Sequence, residues 1–198
     1  VVAITCESPD MQDEINLVWD HLLPALQDGP LPEDKESLAR LKERLATLAL
    51  PMPADSPDSP LASQLSGKKL LPAENTNDPG YFNALFNNDT CTLSMKTNGQ
   101  EFKIPFGRGK WVISETGLAG PNLINRPDGN NLHRIAAAYE WSNDSTLEMI
   151  IRYIESPHHI KVKCSFEGDT TVMNTRLSTP PGYDMPPMKA VMEKQTTY

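Results

Sequence analysis

Positive charge is in deficit in this chain. Against 26 acidic side chains stand 18 lysines and arginines, for a net charge of −8 and a pI of about 5.0. No basic patch stands ready to neutralise phosphates, so a nucleic-acid partner is not expected. Cysteine is scarce as well, with Cys6, Cys91 and Cys164 far apart and odd in number. That argues against a disulfide framework, and no Cys-x-x-Cys or Cys/His spacing offers a metal site; no cofactor is expected. Each cysteine sits in an apolar or alternating run and reads as a small buried hydrophobe. Long apolar runs are missing too, so no membrane span is expected. Apolar residues make up only 38% of the chain, whereas proline is plentiful at 18. Short strands with many turns fit that balance better than a helical bundle. No signal peptide is expected either. The chain opens directly in the strand-like run Val1-Val-Ala-Ile-Thr-Cys-Glu7, as expected of a segment cut from a longer protein.

What is present is clearest between His133 and Ser178. Four apolar-alternating runs, 133–141, 147–155, 160–167 and 171–178, are separated by short polar turns. This is the pattern of antiparallel strands in an up-and-down meander. In the third run Ile160, Val162, Cys164 and Phe166 share one face, while Lys161, Lys163, Ser165 and Glu167 share the other, so one side is dry and one wet. Upstream, 67–73, 81–86, 90–97, 100–106 and 111–115 read as strands, with Asn98-Gly99 as a two-residue hairpin turn. About eight to nine strands result, and a closed or nearly closed barrel of lipocalin-like shape hides the edges of such a sheet. Residues 116–131 read as a loop and the tail from Thr179 as irregular, with one turn of helix over 189–194.

The first fifty residues differ. After the opening strand, Ser8-Pro9-Asp10 reads as a helix start, with serine at the N-cap. Ile15, Val18, Trp19, Leu22 and Leu23 form an apolar stripe at helical spacing. A second helix is expected over 33–50, carrying Leu38, Leu41, Leu45 and Leu48 on one face, and these stripes suit docking against a neighbouring domain or another copy. Pro51 to Pro60 reads as a stiff linker. The expected class is therefore α+β: a predominantly antiparallel β meander or lipocalin-like barrel, preceded by one short strand and two amphipathic helices. Its divisions are 1–50, a linker at 51–66, and a barrel domain at 67–198.

Val1-Val-Ala-Ile-Thr, followed by Asp10-Met-Gln-Asp-Glu-Ile-Asn-Leu-Val-Trp-Asp-His-Leu-Leu-Pro-Ala25, resembles the end of bacterial serine hydrolases of the class C β-lactamase and penicillin-binding-protein-like family. Pro30-Leu-Pro-Glu-Asp34 and Leu48-Ala-Leu-Pro51 extend the resemblance over residues 1–70. Gly107-Arg-Gly-Lys-Trp111 and Arg152-Tyr-Ile-Glu-Ser-Pro157 are similar, more weakly, to a β-domain that some members append. The resemblance implies a non-catalytic C-terminal accessory domain, whose partner is the N-terminal hydrolase domain and whose parent is periplasmic or surface-attached. The family's Ser-x-x-Lys, Tyr-x-Asn and Lys/His-Thr/Ser-Gly motifs would lie upstream of this chain.

Ser66-Gly-Lys-Lys69, Tyr81-Phe-Asn83 and Lys96-Thr-Asn-Gly99 imitate those motifs. A catalytic serine belongs at a helix N-terminus, where backbone N–H groups stabilise an oxyanion, and Ser66 instead precedes a strand. No catalytic residue is therefore assigned in this chain. His158 and His159 are adjacent and would point to opposite faces of a strand, and His21 and the acids Asp10, Asp13 and Glu14 read as solvated helix positions. Asn88-Asp-Thr90 and Asn143-Asp-Ser145 match glycosylation sequons but sit where turns favour Asn and Asp. The surviving candidates are aromatic. Trp111, Tyr139, Trp141 and Tyr153, with Phe102 and Phe106, either fill the barrel or line a ligand cavity, with Arg108, Lys110 and Arg152 at its rim. Two functions follow: the accessory domain, or an independent small-ligand-binding barrel. The accessory reading predicts that the purified chain self-associates in light scattering through its helical stripes. Trp19→Ser with Leu22→Ser then returns it to a monomer, and a monomeric starting chain would count against that reading.

Overall fold

The computed structural model describes residues 10–73, 80–97, 99–121, 131–179 and 183–193. The chain divides into two units, Val1–Pro51 and Met52–Tyr198. The strand expected over residues 1–7, with Ser8, Pro9 and Cys6, lies outside the described residues.

In the first unit α1 (Met11–Leu17) is capped by Asp10, whose carboxylate accepts the Gln12 N–H at 2.8 Å. The cap therefore falls on Asp10 rather than Ser8; both residue types suit the position, but the helix starts later. The helix widens into a π-helical turn over Val18–Leu22, where the Leu23 N–H reaches back to the Val18 carbonyl at 2.9 Å. Pro24 follows at once and has no N–H to continue the ladder. α2 (Lys35–Ala46) starts at Asp34, which accepts the Ser37 N–H at 2.9 Å. That hydrogen bond holds the Asp34 carboxyl below its ordinary value. The helix is shorter than the expected 33–50. It stops where the Thr47 hydroxyl turns back to donate to the Glu43 and Arg44 carbonyls. Trp19, Leu38, Leu41, Leu45 and Leu48 are all exposed.

The second unit is a closed barrel. Its strands are β1 (Lys69–Pro72), β2 (Tyr81–Asn87), β3 (Thr90–Thr97), β4 (Gln100–Arg108), β5 (Val112–Thr116), β6 (His133–Asn143), β7 (Thr146–Tyr153), β8 (His159–Glu167), β9 (Thr170–Leu177), β10 (Tyr183–Asp184) and β11 (Met188–Met192). Neighbour by neighbour, the ring runs β9-β11-β1-β2-β3-β4-β6-β7-β8 and returns to β9, so nine strands close it. The four runs of the meander become β6 to β9, and Ile160↔Leu177 through Glu167↔Thr170 stay in register along the last pair. Gly99, with φ +74°, and the pairing of Thr97 with Gln100 mark a two-residue turn between β3 and β4; Asn98 itself lies outside the described residues. The sequons occupy turns, with Asn88 left-handed at φ +52° and the Asn143 side-chain oxygen accepting the Ser145 N–H.

Three expectations change. The turn of helix expected over 189–194 is a strand in its described part, 189–192, because β11 pairs with β1 on one side and β9 on the other and completes the ring; residue 194 lies outside the described residues. Met188, Ala190 and Met192 alternate with Lys189, Val191 and Glu193, a period of two with no helical stripe. The barrel is predominantly antiparallel, as expected, but not an unbroken up-and-down meander: β4 meets β6 in parallel at Gly107↔Ala138 and Arg108↔Tyr139. The chain between them runs back as β5 beside the first half of β6, so β6 leaves in the same direction as β4. The stretch expected as linker over 51–66 carries α3 (Pro60–Leu65), with Ser59 as N-cap and proline at the first turn.

α3 seals one end of the barrel. Ala62 and Leu65 are buried in the core with Phe106, Tyr139 and Trp141. The Ser59 hydroxyl donates to the carbonyl of Asp144 in the β6–β7 turn, and the Ala54 N–H donates to the Glu140 carboxylate. Asp58 accepts the Tyr139 hydroxyl at 3.0 Å and pairs with Arg108 Nη1 at 3.3 Å. Arg108 Nε lies 3.4 Å from Asp55 Oδ1, an ion pair without hydrogen-bond geometry. Asp55 passes so close to the β4–β5 turn that a Cβ on Gly109 would stand 2.6 Å from it, and Gly109 has φ +60°. Asp58→Ala leaves Tyr139 and Arg108 short of a partner in a half-buried site. It is expected to cost about 1–3 kcal/mol, read as a lower denaturant midpoint at unchanged slope.

Candidate functional site

The alternation that builds the barrel leaves a hollow beside the α3 plug. Inward side chains of β7 (Leu147, Met149, Ile151) and β8 (Ile160, Val162, Cys164, Phe166) line one wall. Phe82 and Ala84 of β2 and Leu93 and Met95 of β3 line the other. The cavity volume is about 640 Å³, within the ~300–1,000 Å³ of small-molecule sites.

The two ends of the cavity differ. Toward α3, beneath the side chains that line it, lies a floor of packed rings. Phe86 lies 5.8 Å from both Tyr139 and Trp141, and Trp141 lies 5.8 Å from Phe166, which also faces the cavity. Offset and edge-on aromatic pairs at this spacing are each worth about 0.5–1.5 kcal/mol beyond their buried area. Burial, with Asp58 beside it, raises the Tyr139 phenol well above its ordinary value, so it donates and does not ionise. Trp141 Nε1 is buried without a hydrogen-bond partner. At the opposite end lie Thr97 and Gln100 of the β3–β4 hairpin, Leu177, Met185 and the segment Gly117–Pro121. That segment is pinned from below: the Tyr153 hydroxyl donates to the Leu118 carbonyl at 3.1 Å, and Thr116 Oγ1 accepts the Leu118 N–H at 3.1 Å.

Trp111, Tyr139, Trp141, Tyr153, Arg108 and Arg152, the residues singled out from sequence, are not among the side chains lining this cavity. Tyr139 and Trp141 belong to the floor's buried core. Tyr153 holds the segment at the far end, and Arg108 ties down the strap before α3. Arg152 stacks over the Trp111 ring at 5.9 Å, and Lys110 pairs with Asp89. Phe102 does line the cavity, and Phe106 is wholly buried. The lining that sequence reasoning missed is aliphatic and sulfur-bearing. Its signal was available in the alternation of β7 to β9, of which only Ile160, Val162, Cys164 and Phe166 of β8 were read as a dry face.

The serine-hydrolase imitations fall on structural positions. Ser66 caps the C-terminal end of α3, and its hydroxyl accepts the Phe86 N–H at 3.0 Å. The negative end of a helix disfavours an oxyanion. Tyr81 faces Lys96 as an ordinary cross-strand pair. His158 Nδ1 lies 3.2 Å from Ser178 Oγ, which also accepts the His159 N–H at 3.1 Å. Among the described residues no group of three or more His, Cys, Asp or Glu is placed to hold a metal. No described helix is long and apolar enough to cross a membrane.

No protein-family model matches the chain, and no curated protein matches it. Among solved structures it is similar to the fatty-acid-binding protein isolated from Manduca sexta, at 12% identity and TM-score 0.38, over 59% of this chain and 74% of that one. It is also similar to the Caenorhabditis elegans lipid binding protein 8, at 11% identity and TM-score 0.47, over 70% and 100%. Human cRBP IV aligns at 12% identity and TM-score 0.40, over 66% and 97%.

Cys164 reports on the cavity. Burial pushes its thiol up to about 12, and against the ordinary free cysteine this lowers the thiolate fraction by on the order of 10³. In a Cys6→Ser background, labelling by an anionic disulfide reagent is expected only on unfolding. Prompt stoichiometric labelling of the native protein would contradict the enclosed position.

Proposed function

We propose that this protein binds a small apolar ligand, of the size and character of a lipid tail, inside its β-barrel. The cavity is the observation that supports the reading: a space of about 640 Å³ walled by Leu, Ile, Val, Met and Phe and floored by aromatic rings. Water is a poor occupant, because each trapped water needs two to four polar partners and the lining supplies few. A dry void would forfeit dispersion contacts around its whole surface. An apolar ligand supplies the missing contacts and releases the water. Five methionines, Met95, Met149, Met173, Met185 and Met188, line the cavity. Their flexible, polarisable side chains adapt to ligands of irregular shape.

A second reading keeps the barrel as an accessory domain of a longer serine hydrolase, periplasmic or surface-attached, as the resemblance of residues 1–70 implies. The exposed apolar stripes of α1 and α2 support it, since contiguous apolar surface of that kind suits a partner or a second copy. The two readings are compatible, because a ligand-binding barrel can serve a larger enzyme.

Titration with the uncharged dye Nile red tests the first reading. One dye per chain is expected, with the blue shift of an apolar site, and long-chain lipids should displace it. Ala84→Trp fills the cavity from β2 and is expected to weaken binding by roughly tenfold or more, about 1.4 kcal/mol, with the thermal midpoint nearly unchanged. Absent binding, or binding indifferent to Ala84→Trp, would remove the cavity from consideration.

A further inference from the structure

The lining carries a further property, its charge. Among the described lining residues there is no Asp, Glu, Lys, Arg or His. The polar side chains are uncharged: Asn83, Thr97, Gln100 and Thr175, besides the Cys164 thiol. Thr97 and Gln100 pair directly across the β3–β4 hairpin, at the end opposite the aromatic floor. The nearby charges of these strands fall on other positions. Glu101 and Lys103 pair with each other along β4, and Lys163 pairs with Glu148 across β7 and β8.

Resting on the ligand-binding reading, we infer that the ligand is an uncharged lipid, whose neutral head, a hydroxyl or carbonyl, is held at the hairpin rim by Gln100 and Thr97. The physical reason is desolvation. Gln100 is itself exposed, so a head at this rim keeps part of its hydration, but a carboxylate drawn in behind Thr97 without a cation or several donors still loses more hydration than it regains and takes up a proton instead. A hydroxyl or ester loses little, and one amide with one hydroxyl satisfies it. The depth of the site then accepts the tail without any charge partner.

Displacement of Nile red by hexadecan-1-ol and by hexadecanoate, measured at about pH 8 and about pH 5, tests this. The alcohol is expected to displace the dye equally at both pH values. At the higher pH the acid should need a roughly tenfold or greater concentration, and it should gain on the alcohol as the pH falls and its carboxyl becomes neutral. An acid that binds as tightly as the alcohol at the higher pH, without pH dependence, overturns the inference and leaves the ligand-binding reading standing. If neither lipid displaces the dye, or the dye does not bind, the ligand-binding reading fails and the inference with it. Gln100→Leu is expected to weaken hexadecan-1-ol several-fold while leaving the thermal midpoint in place. An unchanged alcohol affinity overturns the assignment of the head group to the rim.

Discussion

The structure depends on the closing of its sheet. β11 (Met188–Met192) lies between β1 and β9 and joins the last strand of the meander to the first strand of the barrel. Without it both strands would present unpaired N–H and C=O groups to water or to another chain. Ala190, at its centre, is fully buried, and its small side chain lets the tail lie close against the interior. Once the ring is closed, every inward residue faces a space walled on all sides. The same alternation that makes an open sheet amphipathic here makes an enclosure.

The enclosure is organised along its length. At one end α3, the strap before it and the rings of Phe86, Tyr139 and Trp141 leave no room, and the Asp58–Arg108–Tyr139 contacts fix the strap to the wall. Midway, large residues give way to Ala84, Leu93, Val162 and Met149, which do not meet across the middle. At the other end the described lining adds two uncharged polar side chains, Thr97 and Gln100, and Tyr153 anchors the segment that crosses it. A packed core and a hollow therefore share one barrel, separated by the aromatic floor.

Much of this was legible residue by residue. The dry face of Ile160, Val162, Cys164 and Phe166 follows from a period of two and becomes cavity wall. The β3–β4 hairpin and the strands on either side of the 143–145 turn follow from turn residues between alternating runs. The aromatics were the less legible part. Tyr139 and Trp141 are large and inward, which is equally compatible with a filled interior and a lined pocket. Their role was decided by α3, which brings Ala62 and Leu65 against them, and α3 sits in a proline-rich stretch that reads as linker.

The sequence by itself determined most of the strands, the face of β8 and the short turns, because each depends on neighbours within a few residues. Only the tertiary structure decided that β11 closes the ring, that β4 meets β6 in parallel, that α3 plugs one end, and that a hollow remains at the other. Each of these joins residues dozens of positions apart. A periodic pattern fixes which way a side chain points; whether it meets a partner there or an open space depends on the curvature and closure of the whole sheet.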